Sequence, residues 1–325
     1  MLSLFRTNLS FAGFLLFGYA LLLQLPALLL GPPPPPPDAA THYGDLLTGW
    51  AAGQPFLSAL LPAVLLAVAG MLANGLCARN RFAQTTTQFP GLLLILVWGL
   101  VPSFHAFSAM QFGHLLLLLA TGALGSTYKS QNAPVARFNA GWWLGVASLL
   151  VPAYLFFLLP FIVGVSILGT INLRTVSQLL TGCLLAYFLG GTAAFVGGAW
   201  TAFLTGQLTG FGLSAFAGLT VYDGVGLAAL LLCIFVVLMA AAGPRTLLSI
   251  EGSKNNAFVY WILLFTPLVA LTMEVTSAAA AQVAVPPLGI LLGLWLARQP
   301  DRRAEFYHLL AFALAILLLF LRLGG

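Results

Sequence analysis

Long runs of Leu, Ala, Val, Phe and Gly, separated only by short polar gaps, restrict this chain more than any motif it carries. A run such as Phe11 to Leu30 has about 20 apolar residues, the length that crosses a ~30 Å hydrocarbon core as a helix. Water is a poor solvent for such a chain, because 61% of its 325 residues are hydrophobic and 6% are charged, against about 25% charged in a soluble domain. Inside lipid every backbone donor and acceptor needs a protein partner, which leaves helices or a closed barrel. A barrel would alternate in polarity over ~10-residue segments, and these runs do not. The expected fold is all-α, a polytopic transmembrane helical bundle forming a single integral membrane domain over residues 1–325.

Eleven membrane segments follow from the runs: Phe11 to Leu30, Phe56 to Cys77, Phe89 to Val101, Ala106 to Leu124, Ala140 to Val151, Pro152 to Leu168, Ser177 to Val196, Val225 to Ala242, Ala257 to Met273, Val283 to Ala297 and Phe306 to Leu321. The first follows Arg6 and resembles a signal peptide, but it is longer than a usual signal core and runs into six prolines, so it reads as an uncleaved span. Lysine and arginine favour cytoplasmic gaps. With the N-terminus cytoplasmic, every basic residue except Arg322 falls on that side, and the outer gaps carry Asp38, Asp45, Asp223 and Glu274. The same asymmetry splits Ala140 to Leu168 into two segments, with the break at Pro152, since proline removes a donor and disfavours helix at the residue before it. Phe89 to Val101 and Ala140 to Val151, at about 13 residues and ~1.5 Å each, reach ~20 Å and are expected as half-helices bordering an outward cavity.

The outer loop 31–55 combines a stiff Pro-rich spacer, Gly31 to Asp38, with a short surface helix over Tyr43 to Leu57 that turns Leu46, Leu47, Trp50 and Phe56 to lipid. The net charge of +5 is scattered at the ends of runs, which argues against a nucleic-acid partner. Cys77, Cys183 and Cys233 lack metal-ligand spacing and read as small apolar residues, so no metal site is expected.

Few residues carry chemistry. Asp45 and Asp38 flank His42 in the outer loop; a carboxylate there serves as a general base or binds a divalent cation with His42 assisting, or the loop is a solvated acidic surface. His114 lies deep in its run, where an ionisable group is either functional or bonded to a neighbouring helix, and His105 sits one turn before that run. Glu274 lies at an outer boundary. Asp223 precedes a helix start and suits its electrostatics. P-loop, Rossmann, zinc-helix and nucleophile-elbow motifs are absent, and the sequence names no cofactor.

The stretch Arg137-Phe-Asn-Ala-Gly-Trp-Trp-Leu-Gly-Val-Ala-Ser-Leu-Leu-Val-Pro-Ala153, with Phe89-Pro90, Val101-Pro-Ser-Phe104 and the opening Met1-Leu-Ser-Leu-Phe-Arg-Thr7, resembles a family of uncharacterised multi-spanning membrane proteins of the Bacteroidota. That resemblance implies the inner membrane of a Gram-negative cell and no established activity; Asn139 stands where the family has Asp. In architecture the chain is also similar to membrane glycosyltransferases that use polyprenyl-phosphate sugars. This likeness implies a polyprenyl-linked substrate and a base at Asp45 or Asp38. Three classes remain: an envelope-assembly protein of that kind, a small-molecule or ion transporter, and a non-catalytic scaffold.

Overall fold

The computed structural model describes residues 2–6, 11–32, 41–83, 85–212, 219–242, 249–273 and 278–324. It is 84% helical with no strands. Fourteen α-helices are described: α1 (Ser3–Arg6), α2 (Ala12–Leu30), α3 (His42–Ala52), α4 (Pro55–Arg79), α5 (Phe89–Gly99), α6 (Ala109–Gly125), α7 (Ala133–Leu150), α8 (Leu158–Leu168), α9 (Leu173–Val196), α10 (Trp200–Thr209), α11 (Val221–Ala242), α12 (Ile250–Leu271), α13 (Val285–Ala297) and α14 (Asp301–Gly324). Three 3-10 turns interrupt the order at Pro102–His105, Pro152–Phe157 and Ala278–Ala284.

Among the described residues seven helices are long and apolar enough to cross a membrane, so this is a multi-pass membrane protein. Three shorter apolar helices, Phe89–Gly99, Ala109–Gly125 and Pro152–Leu168, pack among them. Each apolar run of the sequence coincides with one of these elements or with α7. One boundary departs from expectation: α7 starts at Ala133 and is 18 residues long, so Ala140 to Val151 is not a half-helix. Its first two turns carry Arg137 and Asn139, and hydropathy does not register a helix that begins with polar residues. Pro134, which needs no N–H partner at a first turn, marks the true start. The ten residues of α10 escaped the sequence reading for the same reason.

The centre of the bundle is the antiparallel pair α5 and α13. Every residue of α5 is buried, and so are nearly all those of α13. They approach backbone to backbone: a Cβ on Gly289 would lie 2.7 Å from Leu94 Cβ, and one on Gly293 would lie 2.5 Å from Pro90 Cα. Small residues permit such proximity where lipid supplies no hydrophobic drive between helices.

The turns have a local cause. Val101 and Val151, each preceding a proline, adopt extended backbone at φ −112° and −138°, and this ends α5 and α7. The first turn does not sit level with the neighbouring helix ends. His105 shares Gln24 with Ala59, and Gln24 lies six residues before the end of α2 while Ala59 lies four residues after the start of α4. At ~1.5 Å per residue the turn is sunk by roughly 6–9 Å below the helix ends.

At the opposite end, α1 is tied down by Arg6. Its guanidinium donates to the carbonyls of Ala297 and Gln299 and pairs with Asp301 at 2.7 Å. Thr87 and Gln88 both donate to the Phe5 carbonyl, which joins α1 to the start of α5.

Candidate buried polar site

The three 3-10 turns meet around the first half of α6. Gln111 and Gln282 each donate an amide hydrogen to the Phe104 carbonyl at 3.3 Å, which joins the first turn, α6 and the third turn. Gln111 also donates to the Ala106 carbonyl at 3.0 Å. The second turn enters through Tyr154: a Cβ on Gly113 would lie 3.1 Å from the Tyr154 hydroxyl.

His114 lies beside the Gln282 backbone. Its Nε2 is buried and has no hydrogen-bond partner.

The cluster contains more polar atoms than it satisfies. Ser108 Oγ, Gln111 Oε1, His114 Nε2, Tyr154 Oη and Gln282 Oε1 are all buried without a hydrogen-bond partner, and Trp98 Nε1, on the helix leading into the first turn, joins them. Each such group costs on the order of 1–3 kcal/mol when nothing meets it. Native proteins hold few of them, and here they concentrate at the helix interruptions. Two of these atoms, the glutamine oxygens, are acceptors only, while the histidine nitrogen and the hydroxyls serve either way.

Around the cluster, Gln24, His105 and Asp223 are hydrogen-bonded. His105 Nδ1 meets Gln24 Oε1 at 2.7 Å, Gln24 Nε2 donates to the Ala59 and His105 carbonyls at 3.1 Å each, and the Trp98 ring lies 4.4 Å from the imidazole. Asp223, buried at the first turn of α11, accepts from the Ser103 N–H at 2.9 Å and from the Thr220 hydroxyl at 2.7 Å. It therefore clamps the first turn to α11, in keeping with the structural role its position suggested.

The helix expected over Tyr43 to Leu57 is found as α3, which ends at Ala52, so that Phe56 belongs to α4 instead. Thr41 caps α3 and donates its hydroxyl to the Leu150 carbonyl at 2.9 Å, and a Cβ on Gly44 would lie 3.7 Å from Ala109 Cβ. Tyr43 donates to the Gly190 carbonyl at 2.6 Å, and burial raises its phenol above the ordinary value, which keeps it a donor. α3 thus packs against α6 and α7, while the polar atoms of the cluster are themselves buried.

The sequence candidates divide accordingly. His114 belongs to the cluster and His105 to its shell. His42, half-buried in the first turn of α3, packs edge-on against Tyr43 at 5.0 Å. Asp45 stands on the exposed face of α3. Asp38 and Glu274 lie outside the described residues. Ser108, Gln111, Tyr154 and Gln282 were not singled out from sequence, although two uncharged glutamines inside apolar runs, beside Val-Pro dipeptides, are a readable signal. Among the described residues no group of three or more His, Cys, Asp or Glu side chains could hold a metal ion. At the other end of the bundle, Cys77, Arg81, Thr85, Thr86, Thr87 and Ser249 line a polar cleft of ≈ 330 Å³.

Comparison with protein-family models, with curated proteins and with solved structures returns no match.

Proposed function

We propose that the chain is a permease for a small solute rich in hydrogen-bond donors, held by the cluster at the three turns and admitted when α3 moves. The observation that carries this reading is the set of unpartnered polar atoms on Gln111, Gln282 and His114, two of them acceptors, gathered where three helices are interrupted inside the bundle. Broken helices at membrane depth are where transporters bind their cargo, because freed backbone and side-chain groups there take the place of hydration. The glycosyl-transfer reading rests on Asp45 alone among the described residues. We further propose eleven segments, an N-terminus on the cytoplasmic side and residence in the inner membrane of a cell envelope. The distribution of arginine and lysine supports that orientation.

The test uses proteoliposomes and stopped-flow light scattering with inward gradients of ammonium, formamide, urea and glycerol. Wild-type protein is expected to speed re-swelling for at least one donor-rich probe over protein-free vesicles. The variant Ser108→Ala/Tyr154→Phe removes two unpartnered oxygens and no existing hydrogen bond of the cluster. It should fold as well as wild type and lose at least tenfold in flux. Protein-free rates for every probe, with gradients in both directions, refute the proposal.

A further inference from the structure

The two spans that the bundle encloses least are α11 and α14, with 17% and 22% of their apolar windows buried. Between them runs an apolar groove of ≈ 360 Å³, whose walls include Leu96 of α5, Leu232 and Val236 of α11, Trp295 of α13, and Leu310 and Ala311 of α14. Its back is fixed, because His308 on the same wall is buried and meets the Tyr19 hydroxyl of α2 at 3.0 Å. The groove thus faces the hydrocarbon from a rigid wall.

One end of it is charged. On α14 the residues Arg303, Tyr307, Leu310 and Ala311 fall at i, i+4, i+7 and i+8, a single helical face, so the groove-lining stripe continues into an arginine. Arg302, Arg303 and Arg298 are all exposed there. The neighbouring acids do not cancel Arg303. Asp301 is engaged by Arg6 at 2.7 Å, and Glu305 projects about 200° around the helix from Arg303. Trp295 and Tyr307 pack ring to ring at 5.6 Å just inside this end, as aromatic pairs do at a membrane interface. From Arg303 to Ala311 the groove covers roughly 12 Å at ~1.5 Å per residue, close to one leaflet's ~15 Å half of the hydrocarbon core.

We propose that this groove is a binding site for an anionic phospholipid, one acyl chain lying along Leu232, Leu310 and Trp295 and the phosphate meeting Arg303 and Arg302. Basic side chains beside a gap between spans select anionic headgroups, and the complementary charge here distinguishes the groove from an ordinary lipid-facing surface. This assignment is independent of the permease reading, since it uses the opposite end of the bundle.

Native mass spectrometry of the purified full chain tests it. Protein is exchanged into phosphatidylglycerol or into phosphatidylcholine of the same chain length, and the lipid retained on activation is counted. Wild type should keep one phosphatidylglycerol at activation energies that strip phosphatidylcholine. Arg302→Gln/Arg303→Gln should abolish that preference, and Leu310→Trp, which fills the groove, should lower retention of both lipids at least tenfold. Leu309→Trp, an exposed α14 position outside the groove, should change neither. Equal retention of the two lipids by wild type overturns the proposal. So does retention that Leu310→Trp leaves intact, or a dimer that Leu310→Trp dissociates, which would give the groove to a second copy.

Discussion

Gly141 offers the sharpest test of how this bundle is held. It begins a Gly-x-x-x-Gly pair with Gly145 on α7, which packs against Gly182 and Ala186, four residues apart on α9. A Cβ on Gly141 would fall well inside contact of the Leu179 carbonyl oxygen, 2.8 Å from its carbonyl carbon and 3.2 Å from the Cys183 nitrogen. Ordinary contact begins at 3.4 Å, so against the carbon alone the shortfall is about 0.6 Å, and every atom met is backbone that cannot rotate away. The two helices must separate by at least that much. A gap of 0.5–1 Å forfeits a quarter to a half of each dispersion contact it opens, and overpacking of this kind costs ~1–3 kcal/mol. Gly141→Ala is therefore expected to lose ~1–3 kcal/mol in reversible denaturant unfolding in mixed micelles. Gly75→Ala on α4, where a Cβ meets nothing within 4 Å, is expected to be neutral or to gain up to ~1 kcal/mol from helix propensity. Equal stability of Gly141→Ala and wild type, or an equal loss in Gly75→Ala, refutes the packing argument.

Gln24→Leu removes the partner of His105 Nδ1 and the donor to two buried carbonyls, so it should cost at least ~2 kcal/mol by the same unfolding assay, given ~1–3 kcal/mol per orphaned group. Asp223→Ala strips the Ser103 N–H of a charged acceptor and should cost ~1.5–3 kcal/mol, with faster amide exchange at Ser103 as the local signature. Asp301→Asn should cost less than ~1 kcal/mol, because that carboxylate is 81% exposed and exposed ion pairs are worth little. Ser108→Ala/Tyr154→Phe should raise the unfolding midpoint or leave it unchanged, since each substitution deletes a buried atom that has no partner.

Hydropathy alone located the apolar helices, because in lipid each helix satisfies its own backbone and its length follows from the thickness it crosses. Proline chemistry was equally local: Val101 and Val151 are extended for the reason any residue before proline is, and both interruptions were legible in the chain. The start of α7 was not, since Arg137 and Asn139 hide a helix that only its neighbours α6 and α9 stabilise. Nor was the company His114 keeps. Gln111 and Gln282 are 171 positions apart in the chain and meet on one carbonyl only because α5 and α13 pack antiparallel and break at the same depth. A polar side chain in an apolar run has one sequence and many conceivable partners. Which of them it finds, and which of its atoms stay unpaired, is set by packing between helices that the linear pattern does not encode.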